Sequence, residues 1–467
     1  MDVYEFGLKD NPGRPPSVVG DGLSPDGVLL LHGYICLMRN INPLSGLILL
    51  VLSVFLPQSS ALAQPFTSYF TGSQDDVQTA VLPGVVLMGG ATESDAAMQW
   101  FLQRSGGGDI VVIRSTGADG YNDYFYSELG VSVNSVETLI IASDDAAHDP
   151  YVDQQIRNAE ALWIAGGDQW NYVSYWKDSP VEAAIQYLIN DKGVTIGGTS
   201  AGMAILGQAY FSAQNGTVQS ASALGNPFNS SMTLGYNDFL QVPYLENTIT
   251  DTHYDNPDRR GRHAAFMARL WASLDINPRG IAAEEYTAIC VNGDGVARVF
   301  GDYPLEEDYA WFIRPNCEEP WEPEACLPQQ PLEWNRNQRA LVACRVPGTP
   351  QGTFLFDLSN WTGDSSLSWN YWYIQDGQLS ASATIDLADC LGLAAEELSP
   401  EPLLQVYPNP GGHGHVHFTT PAYGKIMNAQ GALVHVLSGE TTFDPTAWPC
   451  GLYVIRANDQ AIRWMRH

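Results

Sequence analysis

The chain is 467 residues long and carries 22 Lys+Arg against 52 Asp+Glu, a formal charge of −30 at neutral pH. That balance argues against nucleic-acid or anionic-membrane partners, because phosphate would be repelled. With 45% hydrophobic and 11% aromatic residues the chain is no disordered polyelectrolyte, and its length calls for a large core plus an accessory module.

Residues 1–63 read as a leader. No clear hydrophobic period runs through 1–37. From about residue 38, Arg39 precedes an apolar run, Leu44 to Leu56, which ends at Ala61-Leu62-Ala63. A basic start, a short apolar run and an A-x-A end describe a secretory signal peptide. The run is shorter than the roughly 20 residues that span a bilayer, so the mature chain is expected to begin near Gln64. Six of the seven cysteines follow this leader, which permits disulfides in an exported chain. Cys317 and Cys326 flank a Pro- and Glu-rich loop and form the expected local pair; their spacing does not resemble a zinc site.

Residues 64–302 read as one α/β domain. Short apolar runs (Val85–Met88, Ile110–Ile113, Thr138–Ile141, Ala161–Ile164, Val194–Ile196) alternate with helical-period stretches at 93–104, 152–160 and 180–191. Such alternation predicts βαβ units, a mainly parallel sheet and helices on both faces. Ligands then sit outside the carboxyl ends of the strands, where Gly89-Gly90, Gly166-Gly167 and Gly197-Gly198 fall. Residues 303–395, rich in Cys, Trp and Pro, read as a β-rich extension of this domain. Residues 396–402 read as a linker, and 403–467 as short strands of a small β-sandwich.

Gly198-Thr199-Ser200-Ala201-Gly202 follows a buried strand and opens a helix, the G-x-S-x-G nucleophile elbow. Small neighbours let the backbone fold back around the serine, and the helix start aims N–H groups at a developing oxyanion. Ser200 is therefore the candidate nucleophile. A serine needs a base. Of the histidines outside the C-terminal module, His253 ends a short apolar stretch and precedes the basic cluster Arg259, Arg260 and Arg262. His263 reads as an exposed helix histidine and His148 as a loop residue.

Gly166-Gly167-Asp168-Gln169, the elbow, Asp251-Thr252-His253, the arginine cluster and Gly280 to Ala288 occur in this order. Together they resemble the cyanophycinase family of serine peptidases (family S51), related to aspartyl dipeptidase, over about residues 83–302. The resemblance implies a class I glutamine-amidotransferase-like fold and hydrolysis of peptide bonds at aspartate. In cyanophycinases the product is β-aspartyl-arginine. It also implies Ser200 as nucleophile and His253 as base, with oxyanion N–H groups from Gly167, Asp168 and Ala201. Gln169, Asp251, Arg262 and Glu285 would then be substrate-binding. The family's third triad member is expected as an acid between the serine and the histidine. There the segment Ser220 to Leu224 carries Ser222 in its place, with Asp238 or Glu246 as substitutes.

Val406-Tyr407-Pro408-Asn409-Pro410, Gly431 to Val434 and Gly451-Leu452-Tyr453 are similar to the C-terminal sorting domain of the type IX secretion system of Bacteroidetes. This resemblance implies the type IX machinery as a partner and a secreted or cell-surface location. His413, His415 and His417 would share one strand face, but a solvated edge strand explains them better than a metal site. No metal constellation or phosphate-cradling loop appears, so no cofactor is expected. The leading expectation is an exported serine peptidase acting on aspartyl peptides or a cyanophycin-like polymer, with a homodimer compatible. A catalytically impaired surface binding protein, motivated by Ser222, is the alternative. An α/β-hydrolase esterase fits less well, because His253 follows Ser200 too closely in sequence.

Overall fold

The computed structural model describes residues 64–316, 320–385, 406–407, 415–428, 433–457 and 460–466. The expected leader and the 396–402 linker lie outside these residues, as do Cys317 and His413. Cys326 forms no disulfide. Among the described residues no helix is long and apolar enough to cross a membrane.

In chain order the first strands are β1 (Thr67–Gly72), β2 (Gly84–Met88), β3 (Asp109–Arg114), β4 (Ser135–Ile140), β5 (Ala161–Ile164) and β6 (Thr195–Thr199). Next come β7 (Ala209–Phe211), β8 (Leu234–Tyr236), β9 (Thr248–Asp251), β10 (Arg279–Ala283), β11 (Ala288–Asn292) and β12 (Val296–Phe300). The 303–385 stretch adds β13 (Tyr309–Pro315), β14 (Leu341–Pro347), β15 (Leu355–Asp357), β16 (Thr362–Gly363), β17 (Ser368–Gln375) and β18 (Gln378–Ile385). The helices are α1 (Asp95–Gln103), α2 (Asp144–Ala147), α3 (Pro150–Asn158), α4 (Gln169–Trp176), α5 (Pro180–Tyr187), α6 (Ala201–Ala204), α7 (Ser220–Gly225) and α8 (Arg260–Leu274).

Two sheets result. The first has the order β1-β4-β3-β5-β6-β2-β11-β12-β15-β16, the second β18-β17-β14-β13-β10-β9-β7-β8. In the first sheet β4, β3, β5, β6 and β2 pair in parallel. These are the predicted apolar runs, buried on both faces as parallel strands are. The rest of that sheet is antiparallel, and in the second sheet only the β7–β9 and β9–β10 pairings are parallel. The expectation of a mainly parallel sheet thus holds for the centre alone. Short reversals such as Asn292 to Val296 permit only antiparallel partners.

Side chains alternate across the second sheet. Phe312, Val342 and Cys344 join the core against the first sheet, while Trp311, Leu341 and Ala343 pack beneath α8. The other face of the first sheet is covered by α1, through Met98, Phe101 and Leu102. The 303–385 stretch is woven into both sheets, because β13 zips onto β10 and β15 onto β12.

The C-terminal residues form one five-stranded antiparallel sheet: β19 (Val406–Tyr407), β20 (Val416–Asn428), β21 (Leu433–Phe443), β22 (Gly451–Ala457) and β23 (Gln460–Arg466). The expectation of a small β-sandwich is met only in part, since the described strands all join through β20 into one hydrogen-bonded sheet. β20 pairs β19 at one end and β22 at the other, with register shifts between. Val416, Phe418, Phe443, Tyr453 and Trp464 form its core.

Candidate active site

The site begins at the end of β6. Ser200 adopts φ 51° and ψ −114°, a sparsely populated region for a residue with a Cβ. Its N–H donates to Met88 O (3.0 Å), and its carbonyl accepts from Ala204 N–H (2.9 Å) as α6 begins. Gly202 has to be glycine here: a Cβ would lie 2.1 Å from Ile164 O.

His253 follows β9 in the second sheet. Its N–H donates to Gly89 O (2.8 Å), which staples it to the loop after β2. At Gly90 (φ +119°) a Cβ would stand 2.4 Å from the imidazole. His253 Nε2 lies 2.8 Å from Ser200 Oγ, and Nδ1 lies 2.7 Å from Glu285 Oε1. Glu285 follows β10, the strand beside β9. Its Oε2 accepts from Asn256 Nδ2 (3.2 Å), and its N–H donates to Asp255 Oδ1 (3.0 Å). A carboxylate at Nδ1 places the ring proton there and leaves Nε2 free to accept from the serine hydroxyl.

The acid expected at Ser222 is therefore elsewhere. Ser222 is exposed on α7. Asp238 is engaged by Lys177 and Tyr210, and Glu246 is exposed. His263, expected on the surface, is fully buried between Tyr254 OH and Ile249 O, and burial lowers its pKa.

The Gly166–Asp168 loop runs beside the nucleophile; a Cβ on Gly166 would be 3.6 Å from that of Ser200. The Asp168 side chain caps α4 by accepting from Trp170 N–H (2.9 Å), which fixes the loop. Gln169, Ala201, Phe211, Thr217 and Arg262 line a 200 Å³ cavity that opens on Ser200 and His253.

Asp251 and Arg262 also line that cavity, but their charges are spent on each other. Arg262 Nε donates to Asp251 Oδ2 (2.9 Å), its Nη2 to Oδ1, and its Nη1 to Thr217 Oγ1 (3.1 Å). Both side chains are about 95% buried, at 4% and 5% exposed. Burial alone would raise the Asp251 pKa, but the adjacent guanidinium outweighs it and holds the carboxyl below its usual value.

Arg259, which the sequence presents only as part of a basic cluster, lines the same cavity. Its Nη1 donates to Thr252 O (2.8 Å), while its buried Nε has no partner. Burial, with Arg262 nearby, brings its pKa down to about 10, so it remains a cation at neutral pH. Among the described residues no group of three His, Cys, Asp or Glu side chains is gathered to hold a metal.

Residues 114–299 match the model of Peptidase family S51, a span that includes Ser200, His253, Arg259 and Glu285. The cyanophycinase of Synechococcus elongatus is 25% identical over 230 residues, which cover 46% of this chain and 65% of the relative. That of Geminocystis herdmanii is 26% identical over 230 residues, covering 46% and 77%. The chain thus spans just under two thirds of the first of these relatives. A peptidase structure from an acI-B1 actinobacterium aligns with a TM-score of 0.37 at 15% identity, covering 48% of this chain and 90% of that one.

Proposed function

We propose that this chain is a serine peptidase cleaving bonds at aspartyl residues. The reading rests on the Ser200–His253–Glu285 relay, with separations of 2.8 and 2.7 Å, at a strained elbow. The match to Peptidase family S51 and to cyanophycinases supports it. Ser200 Oγ attacks the scissile carbonyl while His253 Nε2 takes its proton. Glu285 holds the imidazole in the accepting tautomer and stabilises the imidazolium. The N–H of Ala201 at the start of α6 and those of Gly167 and Asp168 receive the oxyanion. His253 then returns the proton to the leaving amine, and water resolves the acyl-enzyme by the same route.

With Asp251 and Arg262 paired to each other, Arg259 is a cation in the cavity that forms no ion pair among the described residues. A cation with a buried, unpartnered N–H favours a carboxylate, which suits the aspartyl side of a peptide or of a cyanophycin-like polymer. The impaired-binder reading loses its motive once Glu285 occupies the Nδ1 side of His253. The leader pattern and the C-terminal resemblance support export, with the type IX machinery as partner and the cell surface as destination.

The test is hydrolysis of cyanophycin and of short aspartyl peptides, followed by mass spectrometry. The wild type is expected to cut next to aspartate and Ser200→Ala to leave the substrates intact. A wild type inert on both, or a Ser200→Ala protein with equal activity, would overturn the proposal.

A further inference from the structure

The strand β18 ends the second sheet, and among the described residues no strand pairs with its outer edge. Its turn from β17 has only two residues, Asp376 (φ 47°) and Gly377 (φ 68°), so Gln375 and Gln378 form the hydrogen-bonded pair. Pairing then alternates. Ser380 bonds inward to Tyr373, while the N–H and C=O groups of Leu379 and Ala381 point away from β17. The neighbouring position on β17 agrees: Ile374 exchanges both backbone bonds with Trp334 on its far side (2.8 and 2.9 Å). The sequence of β18, Gln378-Leu-Ser-Ala-Ser-Ala-Thr-Ile385, has no charge and no proline. These are the devices by which exposed edges are normally kept from pairing.

A 380 Å³ cavity lies against this edge. Consecutive residues Gln378 to Ala381 line it together with Trp372 of β17, so it runs along the strand's backbone edge and onto the face that packs against α7 and α8. The opposite wall is α7 and the start of α8, with Ser220, Asp258 and Arg260. That wall is thin. Within residues 258–262, Asp258, Arg260 and Gly261 face this cavity, while Arg259 and Arg262 face the one at Ser200. Ser220 Oγ joins the two sides, accepting from Arg262 N–H (3.1 Å) and donating to Asp258 O (2.8 Å). A slot closed by helices opposite the strand admits a single extended chain, whereas a second copy's edge would arrive backed by its own sheet.

We propose that the β18 edge and its cavity bind an extended stretch of the peptide substrate beyond the scissile bond, as an added strand. The proposal rests on reading Ser200 as a peptidase nucleophile, but its test does not require turnover. Backbone donors at Leu379 and Ala381 supply the affinity, and the polar wall accommodates side chains of either sign, because Asp258 and Arg260 pair with each other.

Binding of a long fluorescent aspartyl peptide to the Ser200→Ala protein tests it, with a short peptide as reference. Ala381→Pro removes an outward N–H at an edge, where proline is tolerated, and Ala381→Lys adds a charge. Each is expected to weaken the long peptide roughly tenfold relative to the short one. Amide exchange at Leu379 and Ala381 is expected to be fast in the free protein and slowed by the long peptide. Unchanged relative affinity in both variants would overturn the proposal. So would exchange already slow without peptide, which marks the edge as held by residues 386–405 or by a second copy. A wild type that binds long peptide at β18 but hydrolyses nothing would sink the peptidase reading alone.

Discussion

Glu285 carries a definite expectation. In Glu285→Gln the amide can present its N–H₂ to Nδ1 and favour the wrong imidazole tautomer, so kcat should fall on the order of 10⁴-fold with the fold intact. Ser222→Ala should leave kcat unchanged; a matching loss there would restore the acid position expected from sequence. Gly90→Ala forces a Cβ against the His253 ring at a φ that suits glycine. Displacing the imidazole by about an ångström is expected to lower kcat on the order of 10²-fold, with the melting temperature lowered by the backbone strain but the transition still cooperative. Arg259→Gln should lower kcat/KM for aspartyl peptides about 10- to 100-fold while sparing neutral analogues, the scale of a hydrogen bond to a charged group. Equal losses on both substrates would remove Arg259 from substrate recognition.

At the junction of β10 and β13, Glu284 accepts from Trp311 Nε1 (2.9 Å) and Tyr309 N–H (3.0 Å). Burial raises its pKa to about 7. Below pH 4.5 both folded and unfolded chains hold the proton, and between 4.5 and 7 only the folded chain keeps it. Stability should therefore fall across that window, by on the order of 1–2 kcal/mol after solvent screening, and level off above it. Thermal melts from pH 4 to 8 should show this slope, and Glu284→Gln should lack it. The central strands and the elbow were readable from sequence because each strand is a buried apolar run, and at β2, β5 and β6 a glycine pair closes or follows it. Glu285 stood out as a residue of interest, yet its role was hidden. Its contact with His253 is made by β9 and β10 lying side by side, and 32 residues separate the two along the chain. Ser222 misled for the converse reason: its segment coils into α7 with that hydroxyl outward. The strands of 303–385 gave weak periodicity because Trp369, Tyr371 and Trp372 bury on both faces of β17.

For the molecule as a whole, a chain of charge −30 holds a cavity lined by the cationic Arg259. The far field should gather arginine-bearing aspartyl peptides and repel wholly acidic ones, and salt weakens both effects over a Debye length of about 10 Å at 0.1 M. Raising salt from low to physiological strength should lower kcat/KM for the first class and raise it for the second; a common direction would refute the steering argument. Ser200 rides on one sheet, whereas His253 and Glu285 ride on the other, with the Gly89 carbonyl as a tie between them. The proposed chemistry is thus a vernier for the alignment of two slabs. Mild denaturant that lets them creep by an ångström should silence turnover while far-ultraviolet dichroism still reads native.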